Sequence, residues 1–176
     1  MTFVGLIRGI NVGGNRRLPM AELRAACAAR GLRDVRTYIQ SGNVVFGSDE
    51  PEAVAAATLA DAIRAVGGFD VPVAVRDADA FAAIVAACPF PDAAERPKSV
   101  HLALAAAPIS AAAAADLEAW PGPERVRVVN GAVYADYVDG VGTSKLTPAW
   151  LDRRAGAPVT ARNWATVGAI LGMSGV

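Results

Sequence analysis

What most constrains this chain is the order in which its apolar residues change period. Residues 2–7 form a short β-type apolar run, followed by a glycine-rich loop. Pro19 then opens a segment in which Met20, Leu23 and Cys27 share one helical face, and Gly31 ends it. Residues 35–40 and 43–46 read as two strands around Ser41-Gly42, a hairpin signal. Asp49, Glu50 and Glu52 bracket Pro51 and place negative charge where the next helix begins. Ala56, Leu59, Ala60, Ile63 and Val66 give that helix its apolar face, Gly67-Gly68 stop it, and residues 71–75 form a further strand. The pattern then recurs. After a short helix over 77–87 and a proline-rich stretch over 89–97, residues 100–104 form a strand. Ser110 caps a helix that ends near Trp120, and residues 125–129 and 132–138 flank Asn130-Gly131, the strongest hairpin turn in the sequence. Thr147 and Pro148 start a helix carrying Trp150 and Leu151, and residues 158–160 suit a short edge strand. A last helix over 162–171 has Trp164, Val167, Gly168 and Leu171 on one face. The expected fold class is α+β. It comprises two ferredoxin-like (βαββαβ) subdomains, 1–76 and 99–176, the second ending in a C-terminal helix, with a helix and proline-rich linker over 77–98.

At 176 residues and 53% hydrophobic, the chain is long enough to bury a core in each half. The formal charge is zero, so no global field drives it toward nucleic acid or membrane. The charges are nonetheless segregated. Residues 1–48 hold seven arginines against Glu22 and Asp34, and residues 49–95 hold Arg64 and Arg76 against nine acids. Residues 143–176 hold Lys145, Arg153, Arg154 and Arg162 against Asp152, so both ends are basic and the middle is acidic. Cys27 and Cys88 fit neither a metal spacing nor a disulfide framework, and a reducing cytoplasm suits that usage. The apolar run before Arg8 is too short for a signal peptide, and no stretch reaches the ~18–20 apolar residues needed to span a bilayer. A soluble cytoplasmic protein without cofactor or metal is the expectation.

Four polar strings stand out from the alanine-rich background. They are Arg8-Gly-Ile-Asn-Val-Gly-Gly14, Thr37-Tyr-Ile-Gln-Ser-Gly-Asn43, Ser144-Lys-Leu-Thr147 and Thr160-Ala-Arg-Asn-Trp164. With these strings in this order, the chain resembles the bacterial family called domain of unknown function 1697, along essentially its whole length. The resemblance implies two ferredoxin-like subdomains and no established activity.

Chemically, a strand that feeds a glycine-rich loop and then a helix suits an anion, because successive N–H groups and the helix N-terminus converge on it. The spacing of Gly9, Gly13 and Gly14 matches neither a P-loop nor a dinucleotide fingerprint, and ordinary loop chemistry explains the glycines and Asn11 equally. Ser144 and Lys145 are adjacent, which makes no catalytic dyad. An arginine at 162, in a helix's first turn, would oppose the macrodipole unless an anion, internal or bound, sits beside it. Gln40, Ser41 and Asn43 are turn residues that can also present polar groups to a ligand, and Tyr38 and Phe46 raise a base-stacking surface without the consensus of RNA-binding modules. His101, the sole histidine, and the scattered acids form no catalytic set. The leading expectation is a small phosphorylated or carboxylated ligand in a cleft between the subdomains. Its candidate residues are Arg8, Asn11, Gly13, Gly14, Ser41, Asn43, Ser144, Lys145, Arg162 and Asn163. The alternatives are a non-catalytic interaction or homodimerisation module and, third, weak nucleic-acid binding.

Overall fold

The computed structural model describes residues 1–176. They form two compact units, one of residues 1–81 with 169–176 and one of residues 82–168. The first unit begins β1 (Thr2–Ile7), α1 (Met20–Ala28), β2 (Arg33–Tyr38), β3 (Asn43–Gly47), α2 (Glu52–Gly67) and β4 (Val73–Asp77), and α3 (Ala78–Ala86) follows. The same order recurs in β5 (Val100–Ala105), α4 (Ala111–Glu118), β6 (Arg125–Val129), β7 (Ala132–Asp136), α5 (Pro148–Ala155) and β8 (Val159–Asn163), followed by α6 (Trp164–Ser174). Each set of four strands makes its own antiparallel sheet, ordered β2-β3-β1-β4 and β6-β7-β5-β8. The architecture is therefore mixed α+β with two four-stranded sheets and six helices.

Alternation along the strands decides which residues meet the helices. In the first sheet Phe3, Ile7, Val44, Phe46 and Val75 point one way and are buried with Met20, Leu23 and Cys27 of α1 and Leu59 and Ile63 of α2. These are the positions that helical and strand periodicity assign to the core, each worth about 1.5–3 kcal/mol when fully buried. In the second sheet Ala103, Ala105, Val133 and Ala135 meet Leu117 of α4 and Leu151 and Ala155 of α5. The alanine-rich α4 buries Leu117 alone, and Ser110 caps it by accepting from the Ala113 N–H at 3.2 Å. Thr147 caps α5 in the same way, with Pro148 at its first position.

One end of the chain differs from the expectation. Strand β8 continues to Asn163, with Arg162 paired to Leu102 and Asn163 to His101, so Arg162 lies in a strand rather than in a helix's first turn. The helix starts at Trp164 because Asn163 is its cap, its Oδ1 accepting from the Thr166 N–H at 2.9 Å. Shifting the start changes the buried face. Val167 and Ile170 are buried, Trp164 is half-buried, and Gly168 is exposed. No helix is long and apolar enough to cross a membrane.

Candidate functional site

The register of β1 against β3, with Leu6 opposite Asn43, brings the first two strings to one end of the first sheet. The loop after β1 is built from left-handed backbone at Gly9, Asn11, Gly13, Gly14 and Arg16. Asn11 fastens this loop to the hairpin. Its Nδ2 donates to the carbonyls of Leu18 (3.0 Å) and Gln40 (2.8 Å), and its Oδ1 accepts from the Leu18 N–H (2.8 Å). Across the same gap Ile7 N–H donates to the Gly42 carbonyl at 2.8 Å. Gly42 has φ +85°, and a Cβ there would lie 2.8 Å from Ile7 Cβ and 2.9 Å from Ile10 Cδ1, so only glycine fits. Asn43 is buried, its Nδ2 donating to the Tyr38 carbonyl (3.0 Å) and Ser41 Oγ (3.1 Å). Arg8 is half-buried and anchors its backbone N–H on Pro72. Gly13 and Gly14 are exposed at the loop's outer bend. Phe46 is in the core, stacked on Phe3 at 5.7 Å, which removes it as a base-stacking platform.

Beside this clamp lies an open recess of about 520 Å³ lined by Arg17, Arg24, Asn11, Gln40 and the first residues of α1. Pro19 precedes the helix and offers no side-chain cap, so the first N–H groups of α1 have no capping oxygen from it. Arg24 is steadied by donating from Nη1 to Thr37 Oγ1 at 2.7 Å. Of the ten candidate residues only Asn11 lines this recess. The arginines that wall it escaped the sequence reading, although Arg17 two residues before the helix-opening Pro19, with Arg24 one turn on, was a visible signal.

The third and fourth strings lie at the same end of the second sheet but toward its opposite edges, β6 and β8. The loop carrying Ser144 follows β7, whose Asp136 pairs with Val100, while Asn163 pairs with His101 next to it. Ser144 Oγ donates to the Glu124 carboxylate and accepts from the Leu146 N–H at 2.9 Å. The other Glu124 oxygen accepts from Trp120 Nε1 at 2.7 Å. Burial alone would raise the Glu124 pKa, but hydrogen bonds from Ser144 and Trp120 hold it below the usual carboxylate range. Lys145 is exposed and lines a recess of about 450 Å³ with Trp120, Pro121, Pro123 and Thr143. Arg162 donates to the Ala161 carbonyl at 2.8 Å, and burial pushes its guanidinium pKa down to about 10. His101 stands edge-on to Tyr137 with its Nδ1 3.2 Å from the Ser99 carbonyl, and burial lowers its pKa.

The most heavily bonded carboxylate is Asp136, fully buried at the end of β7. Burial would raise its pKa, yet a two-point contact from Arg96 (2.8 Å each) and a further one from Arg125 keep it below the usual range. Both guanidiniums are thereby committed to the fold.

The solved structure of the conserved bacterial protein SP0830 from Streptococcus pneumoniae is similar, with a TM-score of 0.79 at 22% identity. The similarity covers 99% of this chain and 98% of that one, a likeness of fold over the whole length. No curated protein matches the chain. The family described as "Protein of unknown function (DUF1697)" matches residues 1–134, from the N-terminus into β7, and the chain belongs to it.

Proposed function

We propose that the protein binds a small anionic ligand, phosphorylated or carboxylated, in the first unit's recess beside Asn11. The observation that carries this is the convergence of Arg17, Arg24 and the start of α1 on one open polar recess whose other wall is the hairpin backbone. An anion there meets two guanidiniums and the positive end of a helix dipole. Each exposed charge contact contributes only about 0.2–1 kcal/mol, so affinity depends on the rest of the ligand. Asn11, Ser41 and Asn43 support the site by holding the loop and hairpin beside it, and Gly13 and Gly14 by supplying the left-handed turns of that loop. The ferredoxin-like assignment of each unit belongs to the same proposal and is supported by the βαββαβ order with strand orders β2-β3-β1-β4 and β6-β7-β5-β8. The test is a thermal-shift series with inorganic phosphate, phosphosugars, nucleotides and acyl-CoA thioesters on wild type and the Arg17→Ala/Arg24→Ala double variant. A ligand at 100 times its Kd stabilises by about 2.7 kcal/mol. The proposal expects a shift that the double variant loses; equal shifts in both proteins, or none in either, refute it.

A second reading, an interaction surface for another protein, is favoured by one observation. Val12 and Ile39 are 68% and 53% exposed at neighbouring loop tips, and Ile39 holds φ +48°, costly for a β-branched residue. Asp at both positions should then abolish self-association or partner binding measured by sedimentation, whereas an unchanged sedimentation profile of an associating wild type removes this reading.

A further inference from the structure

We infer that the second unit carries a separate binding site for a planar aromatic ring bearing an anionic group, with Trp120 as the ring's platform and Lys145 as the anion's partner. The recess of about 450 Å³ lies in the size range of small-molecule sites. Its lining is mainly apolar, supplied by Trp120, Pro121 and Pro123; Lys145 is its one cationic group, and the Glu124 carboxylate that also lines it has both oxygens hydrogen-bonded, to Trp120 and to Ser144. The indole is immobilised on two sides. Its Nε1 donates to Glu124 at 2.7 Å, and Trp150 stands edge-on at 4.7 Å between ring centroids. Gly122 lets the Pro-Gly-Pro turn pass close to the Nε1 edge of the indole, since a Cβ there would lie 2.4 Å from Trp120 Nε1.

Glu124 also couples the two halves of the recess. One carboxylate oxygen holds Trp120 and the other holds Ser144, so the loop bearing Lys145 is set at a fixed distance from the ring platform. In the string Ser144-Lys145-Leu146 the outer two residues are consumed by the fold, Ser144 on Glu124 and Leu146 in the core. Lys145 is exposed and engaged in no hydrogen bond or ion pair, and it faces the recess. A lysine there acts as a point charge for a phosphate or carboxylate, while stacking on tryptophan tolerates many rings.

The experiment titrates the full chain with AMP and with 2-naphthoate, following the Trp120 indole N–H resonance, identified by its loss in Trp120→Phe. At least one of the two should move that resonance saturably. Lys145→Ala should weaken that ligand about tenfold and Lys145→Arg much less, while adenosine and inorganic phosphate, each lacking one half of the ligand, should bind at least about tenfold more weakly than AMP. The titration should be unchanged in the Arg17→Ala/Arg24→Ala variant, so this site and the first-unit site stand or fall separately. No movement with either probe up to about 10 mM, or undiminished affinity in Lys145→Ala, overturns the inference.

Discussion

Replacing Asn11 separates a structural clamp from a ligand donor. Its side chain makes three hydrogen bonds, two to Leu18 and one to the Gln40 carbonyl, and its backbone sits at φ +54°. A neutral hydrogen bond contributes about 0.5–1.5 kcal/mol net, and the half-exposed setting lets water rescue part of what is lost. Losing the three therefore costs about 2–3 kcal/mol. Alanine adds the penalty of left-handed backbone, about 1–2 kcal/mol, whereas glycine avoids it but gives back about 0.4–1 kcal/mol through a looser unfolded chain. Asn11→Ala should thus cost about 3–5 kcal/mol and Asn11→Gly about 0.5–1 kcal/mol less. For a chain of this size the alanine variant's melting point should fall about 6–20 °C, measured without ligand. Urea denaturation at constant m-value supplies the free energies. If both variants stay within about 0.5 kcal/mol of wild type, the three bonds carry no net stability and the clamp is refuted.

Gly42→Ala, with its Cβ forced to 2.8 Å from Ile7, should destabilise by about 3 kcal/mol or more, while Gly13→Ala, with open space around it, should cost only the left-handed penalty of about 1–2 kcal/mol; urea midpoints compare them. Asp136→Asn should cost about 2–3 kcal/mol at pH 7, because it removes charge-assisted bonds to two arginines that remain partly hydrated. Since the Asp136 pKa is held below its unfolded value, that contribution is present above about pH 4 and lost as pH falls through the folded pKa, so the gap between wild type and variant should narrow in acid denaturation. Cys27 is fully buried and its thiol pKa is pushed up to about 11, so thiol titration of native protein should modify Cys88 first and Cys27 only on unfolding.

The elements were legible because each carries its own local signal. Pro19, Ser110 and Thr147-Pro148 stand at helix starts, Asn130-Gly131 turns the β6-β7 hairpin, and Met20, Leu23 and Cys27 repeat at helical spacing. The site was less legible because the polar strings mix two kinds of residue that composition cannot separate. Asn11, Asn43 and Ser144 spend their side chains on backbone or neighbouring groups, a matter of tertiary distances. Arg17 and Arg24 reach the same recess from positions seven apart, through the loop's left-handed path and the start of α1. Arg162 misled for a definable reason. Asn163 is a cap residue, and a cap marks the boundary itself, so the arginine before it belongs to the strand.

That boundary occurs twice. Strand β4 ends Arg76-Asp77 and runs into α3, as β8 ends Arg162-Asn163 and runs into α6. Asp77 Oδ1 accepts from the Ala80 N–H at 2.8 Å as Asn163 Oδ1 accepts from Thr166, and each arginine donates to the carbonyl just before it, Arg76 to Val75 and Arg162 to Ala161. Two units with one element order have thus solved one joint with an arginine followed by a residue whose Oδ1 caps the helix, Asp77 in one and Asn163 in the other, which makes Arg162-Asn163 a strand-to-helix joint of the fold. Cap removal typically costs about 0.5–2 kcal/mol. Asp77→Ala and Asn163→Ala should therefore lose stability by similar amounts, about 1 kcal/mol each, with ligand responses in both recesses intact. Should Asn163→Ala instead leave the urea midpoint unchanged while abolishing a ligand-induced shift, the fourth string would be a binding element and the parallel with Asp77 only geometric.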